Sequence, residues 1–191
     1  NSFKRTKTQI SEAQAENIKV ISLLHLDAPK DYDQLRPIMF RFFALLEEKS
    51  TIVFQDFFYH WSATLIAAVG VLHRLGYIEL RKSYATSLEV EVKKKLNLAE
   101  IIEIDLCIGS ANVIKEINDL MNELVRSKEK FDRFDQFMPR LKLAMLAEAV
   151  SNGNGAIASE CFVNMVKSQD FNKGQVVFDL VEMFSRNFSI K

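Results

Sequence analysis

The stretch SATLIAAVGVLHRLG (62–76), YIEL (77–80), RKSYATS (81–87), LEVEVKKK (88–95) changes its hydrophobic period partway along. Leu65, Ile66, Ala68, Val69, Val71 and Leu72 fit helical spacing. Ser62 stands where an N-cap is wanted, and Gly76 suits the position that closes a helix. Beyond Gly76 the period becomes two. Ile78 and Leu80 share one face, and Leu88, Val90 and Val92 share another. The polar run 81–87 between them predicts a flexible loop, and Lys93, Lys94 and Lys95 follow the second strand.

Upstream, residues 1–9 are polar and basic (Lys4, Arg5, Lys7) and read as a loose arm. Ser11 and Gln14 resemble a capping box with Ile10 as its staple. Ile18, Val20, Ile21 and Leu24 then predict a helix to about Leu26, ended by the run 28–31 around Pro29. A second helix is expected from near Asp33 to Lys49. Pro37 belongs in a first turn, which moves the start close to Arg36. Ser50 and Thr51 break the run, Ile52–Phe54 suits a short strand, and Gln55–Trp61 a short helix.

Downstream, Asn97 and Glu100 can cap LAEIIEIDLCI (98–108). We read it as a helix, although its isoleucines would also suit a strand. Gly109 and Ser110 stop it, and Ser110 is placed to cap a helix over 111–128 carrying Ile114, Ile117, Leu120, Met121 and Leu124. A charged stretch (126–137) leads to Pro139, and another helix is expected over 140–150. Asn152–Gly155 is a loop, and two helices, 156–167 and 174–188, complete the chain. No internal repeat is present.

With 191 residues the chain can hold one large domain or two small ones. Apolar content is 48%, charged content 26% and net charge zero, so no global basic footprint calls for nucleic acid. The stretch 96–125 is nonetheless acidic (Glu100, Glu103, Asp105, Glu116, Asp119, Glu123 against Lys115), which suits docking or internal pairing. Cys107 and Cys161 make neither a disulfide framework nor a metal site and are expected to be buried thiols. No secretory h-region opens the chain, and its apolar runs fall short of the ~18 residues of a membrane span. An intracellular protein without a membrane role is expected. The chain opens at Asn1 without methionine, as a fragment of something longer would. His25, His60 and His73 have no metal-ligand spacing, and the Asn-Gly-Asn-Gly run lacks the lysine of a phosphate loop. No catalytic, cofactor or metal residue is assigned. Glu91 and Lys93, with Glu79 on the neighbouring strand, match the Glu-x-Lys element of PD-(D/E)xK nucleases, but no Pro-Asp precedes them.

Thr64 to Val92 resembles the winged-helix tails of origin recognition complex subunits and of kleisins. In both, an apolar helix ends in Leu-Gly-aromatic-Ile or similar, as at Leu75–Ile78 here, and a hairpin follows. The resemblance implies a winged-helix unit and a leaning toward chromosome-associated assemblies, and it transfers no site residues. In DNA-binding winged helices the third helix reads the major groove and the wing touches phosphates. Here Arg81, Lys82, Lys93, Lys94 and Lys95 would make any phosphate contact. The corresponding helix, polar only at Ser62, Thr64, His73 and Arg74, is the wrong surface for reading bases and suits packing.

Aromatic residues cluster from Phe40 to Trp61. Most are expected in the core. Phe57, Phe58, Tyr59 and Trp61 are the candidates for partner contact, since aromatics dominate interface anchors. The expected architecture is mainly α: an N-terminal arm and helix (1–30), a winged-helix-like unit with one small β-hairpin (31–95), and a bundle-like helical half (96–191) packed closely on it. The expected function is a non-enzymatic protein-interaction subunit of a larger intracellular assembly, with DNA association in replication or chromosome organisation as an option. The alternatives are a direct duplex-DNA binder, a metal-dependent nuclease, and a helical viral or structural protein.

Overall fold

The structure, a computed structural model, describes residues 20–27, 29–59, 62–132 and 134–167. The arm, most of the first expected helix, Trp61 and the expected helix 174–188 lie outside the described residues. The elements run β1 (Ile21–Leu26), α1 (Tyr32–Phe42), a 3-10 turn (Phe43–Leu45), β2 (Leu46–Phe54), α2 (Ala63–Arg74), β3 (Ile78–Tyr84), β4 (Ser87–Val92), α3 (Leu98–Gly109), α4 (Val113–Arg126), a 3-10 turn (Lys128–Lys130), α5 (Phe134–Ser151) and α6 (Gly155–Lys167). The chain is mainly helical with one mixed sheet of order β1-β2-β4-β3. β1 runs parallel to β2, and the other pairings are antiparallel.

The period switch is seen in α2, β3 and β4. Gly76 takes φ +74 just past α2, as a closing glycine should. The flexible loop is not there: strand pairing continues to Tyr84 opposite Ser87, which leaves a two-residue turn at Ala85 and Thr86. Ala85 bears the cost of the turn, with φ +52. Arg81 and Lys82 therefore stand on a strand. Ser62 occupies the N-cap of α2 without making the expected capping bond, and its buried hydroxyl has no partner among the described residues.

Upstream the structure corrects the helical reading. Ile21–Leu26 is strand, because β2 offers its backbone groups a parallel partner. α1 is capped by Asp31, whose carboxylate accepts from the Gln34 amide at 2.8 Å, so Pro37 sits inside the helix on an exposed face. The helix ends at Phe42, and 46–49 joins β2. Ser50 does not break that strand. It holds a bulge: the Glu47 amide donates to its hydroxyl at 3.0 Å, and the hydroxyl donates to the Ile21 carbonyl at 2.8 Å. Lys49, at φ +71, makes the bend. Residues 55–59 form turns and bends instead of a helix.

In the second half, Asn97 and Glu100 form the expected capping box of α3. Asn112, not Ser110, caps α4, while Ser110 ends α3. α5 begins at Phe134 and carries Pro139 inside it.

α2 is the centre of the molecule. All its residues from Ala63 to Leu72 are buried except Thr64, which is half-buried. The helix touches α1, α3, α4, α5 and β3. A helix apolar on every side belongs there. The inner sheet face supplies Ile52, Phe54, Ile78, Leu80, Leu88, Val90 and Val92, and one continuous core runs from Leu26 to Ala144 across the 95/96 junction. A smaller cluster of Leu143, Leu146 and Met165 seats α6 on α5.

Candidate interaction surface

The residues expected to meet a partner through aromatic contact are mostly inside. Phe57 and Phe58 are fully buried. Phe58 stacks on Phe137 of α5 with ring centroids 4.2 Å apart, and Phe57 meets it edge-on at 5.0 Å. Neither ring is exposed on this chain. Tyr59 is half-buried beneath the Arg140 guanidinium, 4.8 Å from its ring centroid. Trp61 is outside the described residues.

The basic residues are exposed or half-buried, but each has an acidic partner. Glu79 and Glu91 face each other across β3 and β4. Arg81 reaches both, and Lys93 lies 3.0 Å from Glu79 and 3.3 Å from Glu91. Lys82 pairs with Glu89 at 3.7 Å, Lys94 with Glu100 at 3.0 Å, and Lys95 with Glu47. The Glu79 bond holds Lys93 above the ordinary ammonium range, and the Arg81 bond holds Glu91 below the ordinary carboxylate range. On the hairpin itself Arg81, Lys82 and Lys93 stand against Glu79, Glu89 and Glu91, which leaves little field for a polyanion. The same pairing fills the Glu79–Glu91–Lys93 constellation considered for nuclease chemistry. Among the described residues no group of three or more His, Cys, Asp or Glu could hold a metal ion.

A surface not singled out from the sequence lies on α3. Ile101, Ile104 and Ile108 anchor one side of this helix in the core. On the other side Leu98, Ile102 and Leu106, spaced four apart, are 57%, 45% and 66% exposed. They form one ridge along the helix. Ala99 and Cys107 are exposed beside it, so Cys107 is not the buried thiol expected. Glu103 borders the ridge and makes no ion pair or hydrogen bond among the described residues. α3 contains no lysine or arginine.

The position of α3 is fixed by α1. Asp105 takes two bonds from the Arg36 guanidinium, at 2.6 and 2.8 Å, and a third from the Tyr32 hydroxyl. Arg36 first, and Tyr32 after it, hold Asp105 below the ordinary carboxylate range, while burial and Asp105 push the Tyr32 phenol well above its own. Gly109 lies one turn beyond Leu106 on the ridge side. There a half-open cavity of about 200 Å³ begins, lined by Gly109, Ile108, Val113, Thr64, Tyr32 and Asp33 among others. Asp33 is exposed and makes no ion pair or hydrogen bond among the described residues, although it feels the charge of Arg36 three residues on.

Comparison with family models, with curated proteins and with solved structures gives no match. No helix among the described residues is long and apolar enough to cross a membrane.

Proposed function

We propose that this chain is a non-enzymatic interaction subunit of a larger assembly and that α3 is the face it offers. The observation carrying this reading is the ridge of Leu98, Ile102 and Leu106, exposed on a helix that is apolar on both sides. Single exposed apolar residues need no explanation, but a full ridge along one helix does, and a partner is its usual reason. The succession of α2, β3 and β4 keeps the order of a winged-helix tail, which supports a structural kinship of that kind. The two-residue turn and the buried α2 favour protein contact over DNA reading within it. The test is capture of partners from the source cell by the wild-type chain and by a folded Leu106→Glu variant. Partners lost only by the variant support the reading, and an unchanged set sinks it.

A further inference from the structure

We infer that the occupant of the α3 face is an amphipathic helix of a partner protein with basic residues beside its apolar stripe, one of which enters the cavity next to Asp33. This inference rests on the α3 face being the docking surface and names the chemistry of what docks there.

Three observations carry it. The first is shape. A ridge of residues four apart presents grooves on either side into which the ridges of a second helix fit. An extended segment would gain its main-chain bonds at a sheet edge, not here.

The second is charge. Glu100 and Asp105 of α3 are paired with Lys94 and Arg36, but Glu103 on the rim of the ridge and Asp33 in the cavity make no ion pair or hydrogen bond among the described residues. Glu103 on α3, a helix with no cation of its own, and Asp33 across the cavity on α1, where the Arg36 guanidinium is already taken by Asp105, complement a basic partner. A second copy of this chain would set this acidic helix against itself, and an anionic membrane surface would be repelled by it.

The third is volume. A cavity of about 200 Å³ is below the ~300–1,000 Å³ of small-molecule pockets, and it suits one long side chain. Its apolar walls, Ile108 and Val113, can cover the methylene stem of a lysine or arginine while Asp33 meets the charged end. A Cβ added at Gly109 would meet no atom of any neighbouring element within 4 Å, so the mouth on the α3 side is open at that point.

The experiment titrates the isotope-labelled full chain with two designed helical peptides that share one leucine stripe, one flanked by lysines and the other by glutamates. Shifts of the α3 amides report binding. The inference expects the lysine peptide to bind about tenfold or more tightly, with an affinity that falls as salt rises. Asp33→Asn and Gly109→Leu should each weaken that peptide several-fold and leave the glutamate peptide unchanged. Equal binding of the two peptides, or no binding of either, overturns the inference. So does an α3-dependent dimer in sedimentation, or recruitment to anionic vesicles. If partner capture still depends on Leu106 while the lysine peptide shows no preference, only the basic helix is wrong. If capture ignores Leu106, the docking face itself is wrong.

Discussion

Gly70 of α2 lies against the backbone of Glu116 on α4, so closely that a Cβ at position 70 would stand 3.1 Å from the Glu116 carbonyl oxygen. This contact seats the buried central helix against the helical half of the chain. It is reinforced four residues on, where the Arg74 guanidinium donates to the buried Glu116 carboxylate at 2.9 Å. Gly70→Val should lower stability by about 1–3 kcal/mol through overpacking. Gly70→Ala should fall between, because about 1 kcal/mol of helix propensity offsets the strain. Chemical denaturation of the two variants checks this, and a stabilised valine variant would mean that α2 and α4 are not closely seated.

Phe58→Ala should cost about 3–5 kcal/mol, because it empties a fully buried site and removes the stack on Phe137. Urea unfolding measures it. A loss under 1 kcal/mol, with a partner contact weakened instead, would return Phe58 to the surface role first expected of it.

Asp105 gives the fold an acid sensitivity with a defined sign. Its carboxyl is held below the ordinary range in the folded chain, so its contribution is complete above the unfolded value of ~3.9 and is lost as the pH falls toward the folded value. Asp105→Asn should cost about 1–3 kcal/mol at neutral pH and less near pH 3, since charge-assisted bonds weigh most. Stability curves at both values test it, and a constant difference would contradict the Arg36–Asp105 account.

Duplex DNA should show no steeply salt-dependent binding. The hairpin cations are matched by Glu79, Glu89 and Glu91, and Lys94 and Lys95 by Glu100 and Glu47. Measuring affinity across a salt series decides the matter. A steep slope abolished by replacing Lys93, Lys94 and Lys95 with alanine would contradict the pairing as a cause of silence.

Cys107 should react with a thiol reagent faster than Cys161. It is exposed on α3, whereas Cys161 is half-buried and its thiol is pushed up, mainly by burial. Single Cys→Ser variants assign the two rates, and the reverse order would place the α3 face inside the isolated chain.

The helix and hairpin at 62–95 were legible because the hydrophobic period changes cleanly at Gly76 and the capping glycine marks the place. β1 was not, because Ile21 and Leu24 fit helical spacing as well as strand pairing, and only the distant edge of β2 decides between them. The end of α1 was hidden for a related reason: apolar residues continue through Phe43 and Leu46 with no glycine or proline to mark the change. The basic cluster was visible as charge, but its neutralisation depends on Glu79, Glu89 and Glu91 coming alongside when the hairpin closes. The α3 face had a local signal. Asn97 and Glu100 mark the start of a helix whose apolar residues encircle it, which reads as burial until the neighbours are known to cover only one side. The cavity had none, since α1, α2, α3 and α4 each contribute to it.

The most direct test places a photo-crosslinking amino acid at Ile102, and separately at Asn118 on the exposed side of α4, in the source cell. The account predicts a discrete protein adduct from position 102 that Leu106→Glu abolishes, and none from position 118. Adducts from 118 with none from 102 would contradict it.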